Sequence, residues 1–275
     1  MQNICKPIHM VSVSSIVPKG SDFREIPRIK LLGVDLAVLT ATKAVEYSEQ
    51  GGLFLAPSGP GLCDLSTDPH YREALLGSDL NLADSGLAIL LMKFLGLGTL
   101  PRLSGLGFLD HLLHSDRFIS SSPRTFWIMP NKQSMEKNLH WIQSQGIPVL
   151  LQDCYIAPLY PKVGAVEDER LLKIIMERQP SHIFLCTGSG TQEKLGYWLK
   201  MNLPYRPMIC CIGAAIGFLS GDQVMIPSWA DRLCLGWLFR CLSNPRRFIP
   251  RYLKATKLIW LVVRYRHSSP TIVET

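Results

Sequence analysis

Residues 182–202 read HIFLCTGSGTQEKLGYWLKMN, an apolar run followed by a glycine-containing loop and a helix-like stretch. The apolar run at 182–187 predicts a buried strand that leads through the loop into a helix. Gly188 and Gly190 allow a ligand to approach the backbone closely, and the helix start offers free N–H groups to an anion. Without a third glycine the pattern supports nucleotide binding only weakly, so a plain turn capped by Thr191 stays an alternative.

The same succession of strand and helix recurs along the chain. We expect strands at residues 31–39, 52–58, 79–84, 125–130, 148–154, 182–187 and 208–213. Helix-like stretches lie between them, at residues 41–50, 68–77, 86–95, 104–118, 132–145, 166–179 and 191–202. This alternation predicts an α/β fold with a mostly parallel sheet covered by helices. Ligands of such sheets bind beyond the carboxyl ends of the strands, so the residues that follow each strand are the candidate site.

A second loop carries a carboxylate at a strand end. The segment Leu82-Ala83-Asp84-Ser85-Gly86 follows the predicted strand at 79–84 and precedes an apolar helix. Asp84 is therefore expected at the carboxyl end of a strand and close to a helix N-terminus. The alternative is that Asp84 only caps this helix, a position that aspartate fills often.

The length and composition exclude several classes of protein. A chain of 275 residues fits one large domain or two small ones and can bury a sizeable core. With 47% apolar and 19% charged residues, and with 21 Gly and 19 Pro in no fixed period, the chain is neither disordered nor collagen-like. No uncharged apolar run reaches about 18 residues, so we expect no membrane-spanning helix. The first 20 residues do not predict a secretory signal.

Common catalytic and metal-binding patterns are absent from the sequence. It has no P-loop, no G-x-S-x-G elbow and no D-x-D pair, and its eight cysteines form no C-x-x-C motif. We therefore expect buried, reduced thiols and neither a metal site nor a cofactor.

Positive charge is concentrated at the C-terminal end of the chain. Residues 1–231 hold 20 Lys and Arg against 21 Asp and Glu, whereas residues 232–275 hold 9 Lys and Arg against Glu274 alone. Aromatic side chains, Trp237 and Trp260 among them, are interspersed with these cations. A basic segment of this kind favours an anionic membrane surface. The alternatives are a helix packed on the body with its charged face in water, and a nucleic-acid-binding tail.

Three segments together resemble a known enzyme family. They are Ala83-Asp84-Ser85-Gly86, the loop at 188–193, and residues 213–252 with their W-L-F-R and P-R-R…R-Y motifs. In order and spacing, over about residues 30–255, the chain resembles the WecG/TagA/CpsF family, glycosyltransferase family 26.

The resemblance implies a Rossmann-like sheet with a basic helical C-terminal appendage. We therefore expect an N-terminal extension at 1–30, an α/β glycosyltransferase-like domain at 31–228 and the appendage at 229–275. It also implies an inverting, metal-independent bacterial enzyme of cell-surface polysaccharide synthesis. Such an enzyme moves an N-acetylhexosamine-type sugar from a UDP-sugar to a polyprenyl-diphosphate-linked acceptor. The expected location is cytoplasmic, peripheral on the inner face of the cytoplasmic membrane, with homo-oligomers an open question and no nucleic-acid partner.

The same resemblance assigns expected roles to individual residues. Asp84 is the expected general base. The expected substrate contacts are Gly86, Gly188, Ser189, Gly190, Gln192, Glu193, Gly213, Arg240, Arg247 and Arg251, the three arginines on a pyrophosphate. The expected membrane contacts are Trp237, Tyr252, Lys254 and Lys257. The alternatives are a core position for Trp237, plain solvated charges for Arg246 and Lys254, and for Glu193 an early-helix carboxylate favoured by the helix dipole.

The chain departs from the family pattern at four places. Ala56-Pro57-Ser58 stands where the family has Thr-x-Asn, and Met225-Ile226-Pro227 where it has Arg-Ala-Pro. Cys234-Leu235-Gly236-Trp237 replaces Gly-Leu-Glu-Trp, and Pro130-Asn131-Lys132 replaces a glycine-rich turn. Each hydrogen bond lost to a charged ligand costs about 1.5–3 kcal/mol. The alternative function is therefore a non-catalytic relative that binds a nucleotide-sugar or a lipid-linked intermediate within a polysaccharide assembly complex.

Overall fold

The structure, a computed structural model, describes residues 23–224, 227, 230 and 235–272. Within these residues the strands are β1 (Arg28–Leu31), β2 (Val34–Ala37), β3 (Gly52–Leu55), β4 (Leu80–Asn81), β5 (Thr125–Met129), β6 (Cys154–Ile156), β7 (His182–Leu185) and β8 (Met208–Cys211). The helices that precede the last strand, β8, are α1 (Ala41–Ser48), α2 (Gly59–Leu62), α3 (Pro69–Leu76), α4 (Gly86–Phe94), α5 (Gly105–Leu113), α6 (Asp116–Ser121), α7 (Lys132–Ser144), α8 (Glu169–Arg178) and α9 (Thr191–Asn202). They are followed by α10 (Ala215–Leu219), α11 (Gly236–Ser243), α12 (Pro245–Lys254) and α13 (Lys257–Tyr265).

The strands of the described residues form one eight-stranded sheet in the order β1-β2-β4-β3-β8-β7-β5-β6. Every neighbouring pair is parallel except β1 and β2. The predicted α/β, Rossmann-like class with a mostly parallel sheet is thus confirmed. The four central strands β4, β3, β8 and β7 run side by side in the same direction, so their carboxyl ends meet at one edge.

The first predicted strand, at 31–39, is wrong as a single element. It is an antiparallel hairpin of β1 and β2, with Ile29 opposite Leu36. The turn lies at Leu32 and Gly33, which have φ angles of 52° and 81°. Only glycine adopts such angles without strain, so Gly33 reverses a chain that otherwise reads as one continuous apolar run.

Two further predicted elements differ from the structure. The strand expected at 148–154 is a 3-10 turn at Leu151–Asp153 with β6 beginning at Cys154, because the Asp153 carboxylate accepts the Leu150 N–H at 2.9 Å. The helix expected at 104–118 is divided into α5 and α6. Ser115 separates the two, since its hydroxyl accepts the Phe118 N–H at 3.3 Å and starts a new helix.

Helices cover both faces of the sheet, and alternate residues of each strand supply both cores. In β3, Leu53 and Leu55 join the core beneath α3, α4, α8, α9 and α13, whereas Phe54 joins the core beneath α1, α5 and α7. The last helix belongs to the first of these cores, because Leu258, Leu261 and Val262 are 0% exposed. The last helix of the basic C-terminal stretch, α13, therefore contributes side chains to the hydrophobic core.

The chain beyond α13 is tied back to the β1–β2 hairpin. The Leu32 N–H donates to the Arg266 carbonyl at 2.8 Å, and the Gly33 N–H donates to the His267 carbonyl at 3.0 Å. A Cβ added at Gly33 would lie 1.9 Å from the Ser269 hydroxyl, so glycine is also required for this close approach. The C-terminal helices are therefore fixed to the body at their far end.

The expected buried thiols are confirmed for Cys63, Cys186, Cys210 and Cys211, which are free and buried. Burial raises the pKa of Cys63 to about 11, so this thiol is protonated near neutrality. Cys5 and Cys234 lie outside the described residues. None of the helices in the described residues combines the length and apolar character that crossing a bilayer requires.

If α13 is part of the core, Leu261→Ala lowers the free energy of unfolding by about 2–5 kcal/mol, since it removes a fully buried side chain. Ile259→Ala, on the same helix but 44% exposed, costs about 1 kcal/mol or less. Urea denaturation of both variants measures the difference. Equal losses would contradict a core position for this helix.

Candidate active site

Polar loops leave the four central strands at one edge of the sheet. Asp84 follows β4, Ser58 follows β3, Gly213 follows β8, and the loop at 188–193 follows β7. Residues distant in sequence are neighbours here because the strand order, not the chain order, decides which loops meet. This is the edge at which ligands of parallel sheets bind.

A cavity of about 390 Å³ opens at this edge. From the body it is lined by Ser58, Gly59, Pro60, Asp84, Ser85, Gly86, Leu87 and Arg102, and from the C-terminal helices by Gly236, Trp237, Arg240, Arg251, Tyr252 and Ala255. The α/β body and the basic C-terminal stretch therefore build the cavity together.

Asp84 is the carboxylate of this cavity. Its Oδ1 accepts the Gly105 N–H at 3.3 Å, and its carbonyl accepts the Arg102 Nε–H at 3.0 Å, so both side chain and backbone are held in place. The cap of α4 is Ser85, whose hydroxyl accepts the Ala88 N–H at 3.2 Å. The alternative that Asp84 caps the helix is therefore wrong.

Among the described residues, three arginines line the cavity beside Asp84. Arg251 donates from Nη2 to the Ser58 hydroxyl at 3.4 Å and so joins α12 to the end of β3. Arg240 lies over the Phe218 ring, 4.6 Å from its centroid, and no described residue is a hydrogen-bond partner of its buried Nε. Arg102 is the third. Guanidinium groups bind phosphates through two parallel hydrogen bonds, so the cavity suits a diphosphate.

The loop at 188–193 lies next to the cavity rather than in its wall. The Ser189 hydroxyl is 3.4 Å from that of Ser58, which does line the cavity. Glu193 is 0% exposed, and burial raises its pKa. Its carboxylate accepts the Gly190 N–H at 2.6 Å and bonds from Ser189 and Gln192 at 3.4 and 3.1 Å. Glu193 therefore fixes the shape of the loop from inside.

Two buried polar atoms at this loop are available to bond a ligand. The Gln192 Oε1 and the Thr187 hydroxyl are buried and have no hydrogen-bond partner among the described residues. Gly213 lies beside Gln192, with a Cβ position 3.6 Å from its Nε2. Thr191 does not cap α9, because the cap is Gly190 and the Thr191 hydroxyl donates instead to the Gly188 carbonyl at 2.9 Å. The capped-turn alternative is therefore wrong in this detail.

Only some of the sequence-predicted residues line the cavity. These are Asp84, Gly86, Trp237, Arg240, Arg251 and Tyr252. Its lining does not include Gly188, Ser189, Gly190, Gln192, Glu193, Gly213, Lys254 or Lys257, although Ser189 contacts the lining residue Ser58. Nothing of the Arg247 side chain is within the described residues, although its backbone belongs to α12.

One of the alternatives for single residues is wrong. Trp237 is 47% exposed and packs edge to face against Tyr252 at 6.2 Å, so it is no core residue. Lys254 is half-exposed and ion-paired with Asp64, so both its membrane contact and the solvated-charge alternative stay predictions.

Arg102 lines the cavity although no sequence pattern predicts it. Its only signal is that it is the one charged residue between Lys93 and Asp110. Ser58 is a departure from the family pattern, yet its hydroxyl links Arg251 to Ser189. Among the described residues, no group of three or more His, Cys, Asp or Glu side chains could hold a metal ion.

The fold and the site are those of an α/β protein with a ligand cavity at the carboxyl edge of a parallel sheet. The family model for the glycosyl transferase WecG/TagA/CpsF family matches residues 29–271, and the chain belongs to this family. It is 22% identical, over 90% of its length and 93% of the relative's, to an N-acetylglucosaminyldiphosphoundecaprenol N-acetyl-beta-D-mannosaminyltransferase of Bacillus spizizenii. It is 32% identical to a Bacillus subtilis protein of the same name, over 32% of this chain and 37% of that protein.

If the cavity binds a diphosphate, Arg240→Ala weakens binding of inorganic pyrophosphate about ten- to hundredfold, because a hydrogen bond to a charged group is lost. Isothermal titration calorimetry measures the affinity. Arg246→Ala is the matched control, since Arg246 is exposed on α12 outside the cavity. Equal affinities in both variants would contradict a role of Arg240 in the cavity.

Proposed function

We propose that this chain is a membrane-associated inverting glycosyltransferase. It moves an N-acetylhexosamine-type sugar from a UDP-sugar to a polyprenyl-diphosphate-linked acceptor in cell-surface polysaccharide synthesis. The names of the two relatives support the sugar and acceptor classes. The observation that carries the proposal is the shared cavity of Asp84 with Arg240 and Arg251, a base beside cations that suit diphosphate.

In this proposal Asp84 acts as the general base. It takes the proton from the acceptor hydroxyl as that oxygen attacks the anomeric carbon of the donor sugar. The bond between the anomeric carbon and the diphosphate oxygen breaks on the opposite face, so the configuration inverts and UDP leaves with the bonding pair. Arg102, Arg240 and Arg251 stabilise negative charge on diphosphate, of the donor or of the acceptor.

The donor nucleotide is assigned to the loop at 188–193. Its glycines leave the backbone open, and the buried Gln192 Oε1 and Thr187 hydroxyl have no hydrogen-bond partner in the part of the chain that the structure describes. Glu193 has a positioning role, because its carboxylate bonds hold Gly190 and Ser189. The link from Ser189 through Ser58 to Arg251 joins this loop to the cavity that contains Asp84.

The membrane contact is assigned to the C-terminal helices, on the cytoplasmic side. Large apolar side chains there are exposed, among them Leu242 at 72%, Leu253 at 64% and Trp260 at 58%. Lys257 and Arg264 are exposed on the same helices. An apolar surface bordered by cations fits the interface of an anionic bilayer.

A non-catalytic relative is the second candidate, and two departures in the cavity favour it. Ser58 stands in the place of a family asparagine, and Gly236, in the place of a glutamate, brings no side chain to the cavity. Ligand binding without turnover is the result that would establish this candidate.

Asp84→Asn is expected to lower turnover about 10²- to 10⁴-fold, because a general base is lost. Release of UDP from UDP-N-acetylhexosamines, with a polyprenyl-diphosphate-linked N-acetylglucosamine as acceptor, measures turnover. Asp110→Asn is the control, since this carboxylate is exposed on α5 and pairs with His114. Unchanged turnover in the Asp84 variant would remove this residue from the mechanism.

The double variant Lys257→Gln, Arg264→Gln is expected to lower partition onto phosphatidylglycerol vesicles about tenfold or more, since each cation near an anionic surface contributes about 1 kcal/mol. Truncation of the C-terminal stretch is a poorer test because it removes Leu261 from the core. Lys132→Gln, Lys173→Gln on the body is the matched control. Equal partition of the two double variants in vesicle sedimentation would contradict the membrane contact.

A further inference from the structure

Helix α4 has an unusual apolar surface. Its sequence is GLAILLMKF, and Phe94 at its end is 93% exposed while Leu90 is 58% exposed. Ala88 and Met92 bury the opposite side of the helix in the core. The two exposed side chains are therefore not needed to pack the helix, and water is a costly environment for them.

This surface is continuous with the cavity. Leu87 lines the cavity at the beginning of α4, and Leu90 and Phe94 follow at helical spacings of three and four residues. Residues at these spacings share one face of a helix, so the three side chains form a strip that leads from the cavity to the surface. The strip extends about 10 Å along the helix axis.

The two ends of this path differ in chemistry. At the cavity end stand Arg102, Arg240 and Arg251, which suit a diphosphate, and the wall near them includes the apolar groups of Pro60, Trp237 and Ala255. At the outer end the strip carries only Leu90 and Phe94. A ligand that matches both ends has a diphosphate head and a long hydrocarbon tail.

We propose that the α4 strip of Leu87, Leu90 and Phe94 binds the first isoprene units of a polyisoprenyl diphosphate, guiding its tail out of the cavity. The inference rests on the proposed function for the identity of the acceptor, and it adds a tail-binding site in the body of the protein. The strip thereby selects long-chain over short-chain diphosphates.

The test measures affinity against chain length in the absence of membranes and of UDP-sugar. Dimethylallyl, geranyl, farnesyl and geranylgeranyl diphosphate are titrated into the full-length protein by calorimetry, each below its micelle concentration. In the wild type the geranylgeranyl compound binds at least about tenfold more tightly than the dimethylallyl compound, because buried methylene groups add affinity. In Leu90→Ser, Phe94→Ser this ratio falls to about one while the affinity for dimethylallyl diphosphate is kept.

The control is Leu159→Ser, which changes a fully exposed apolar residue (103%) on a distant loop and keeps the wild-type ratio. If the serine variant fails to fold, the milder Leu90→Ala, Phe94→Ala replaces it. This variant is expected to give a ratio between that of the wild type and one. A wild-type ratio near one overturns the proposal, as does a strip variant that keeps the wild-type ratio. Loss of affinity for all four compounds alike also overturns it, because the strip would then act on the diphosphate end.

The outcome is independent of turnover. A chain-length ratio without any sugar transfer keeps the tail-binding site and rejects the proposed transferase function. Sugar transfer without a chain-length ratio rejects the tail-binding site alone.

Discussion

The parallel pairing of β4, β3, β8 and β7 is the constraint on which the rest of the structure depends. β3 and β4 come from one part of the chain and β7 and β8 from another about 100 residues later. Only the order of the strands in the sheet brings the loops that follow them to one edge. Strands buried on both faces are held by apolar packing of Leu53, Phe54 and their neighbours. The strands therefore supply the core residues, and the polar loops that follow them form the candidate active site.

The C-terminal stretch has two roles: its last helix packs in the core, and its earlier helices place arginines at the cavity. The positive charge of the stretch does not by itself predict the first role. Its last helix, α13, is part of the core through Leu258 and Leu261, and the backbone beyond it is bonded to the hairpin at Leu32. These contacts fix the end of the stretch, while α11 and α12 place Arg240 and Arg251 at the cavity. A segment that is basic in sequence is thus anchored by its apolar residues, while cations such as Lys257 and Arg264 remain exposed.

Much of the fold was predictable because the apolar runs are short and end at turn residues. The predicted helix at 191–202 agrees with the structure, whereas the strands predicted at 79–84 and 182–187 are present but end earlier, at Asn81 and Leu185. The hairpin was missed because Leu32 and Gly33 interrupt an apolar run with a turn that only a positive φ reveals. Arg102 was missed because it belongs to no motif, and its place at the cavity depends on tertiary contacts such as the bond from its Nε to the Asp84 carbonyl.

The central claim is that one cavity, built by the sheet edge and the C-terminal helices, receives the diphosphate beside Asp84. A crystal structure of the chain with UDP tests it most directly. The account predicts the uracil and ribose at the loop 188–193 and the diphosphate entering the cavity beside Ser58 and Arg251, the residues that join this loop to the cavity. A nucleotide bound at another edge of the sheet, or a cavity left empty with UDP at saturation, would contradict it.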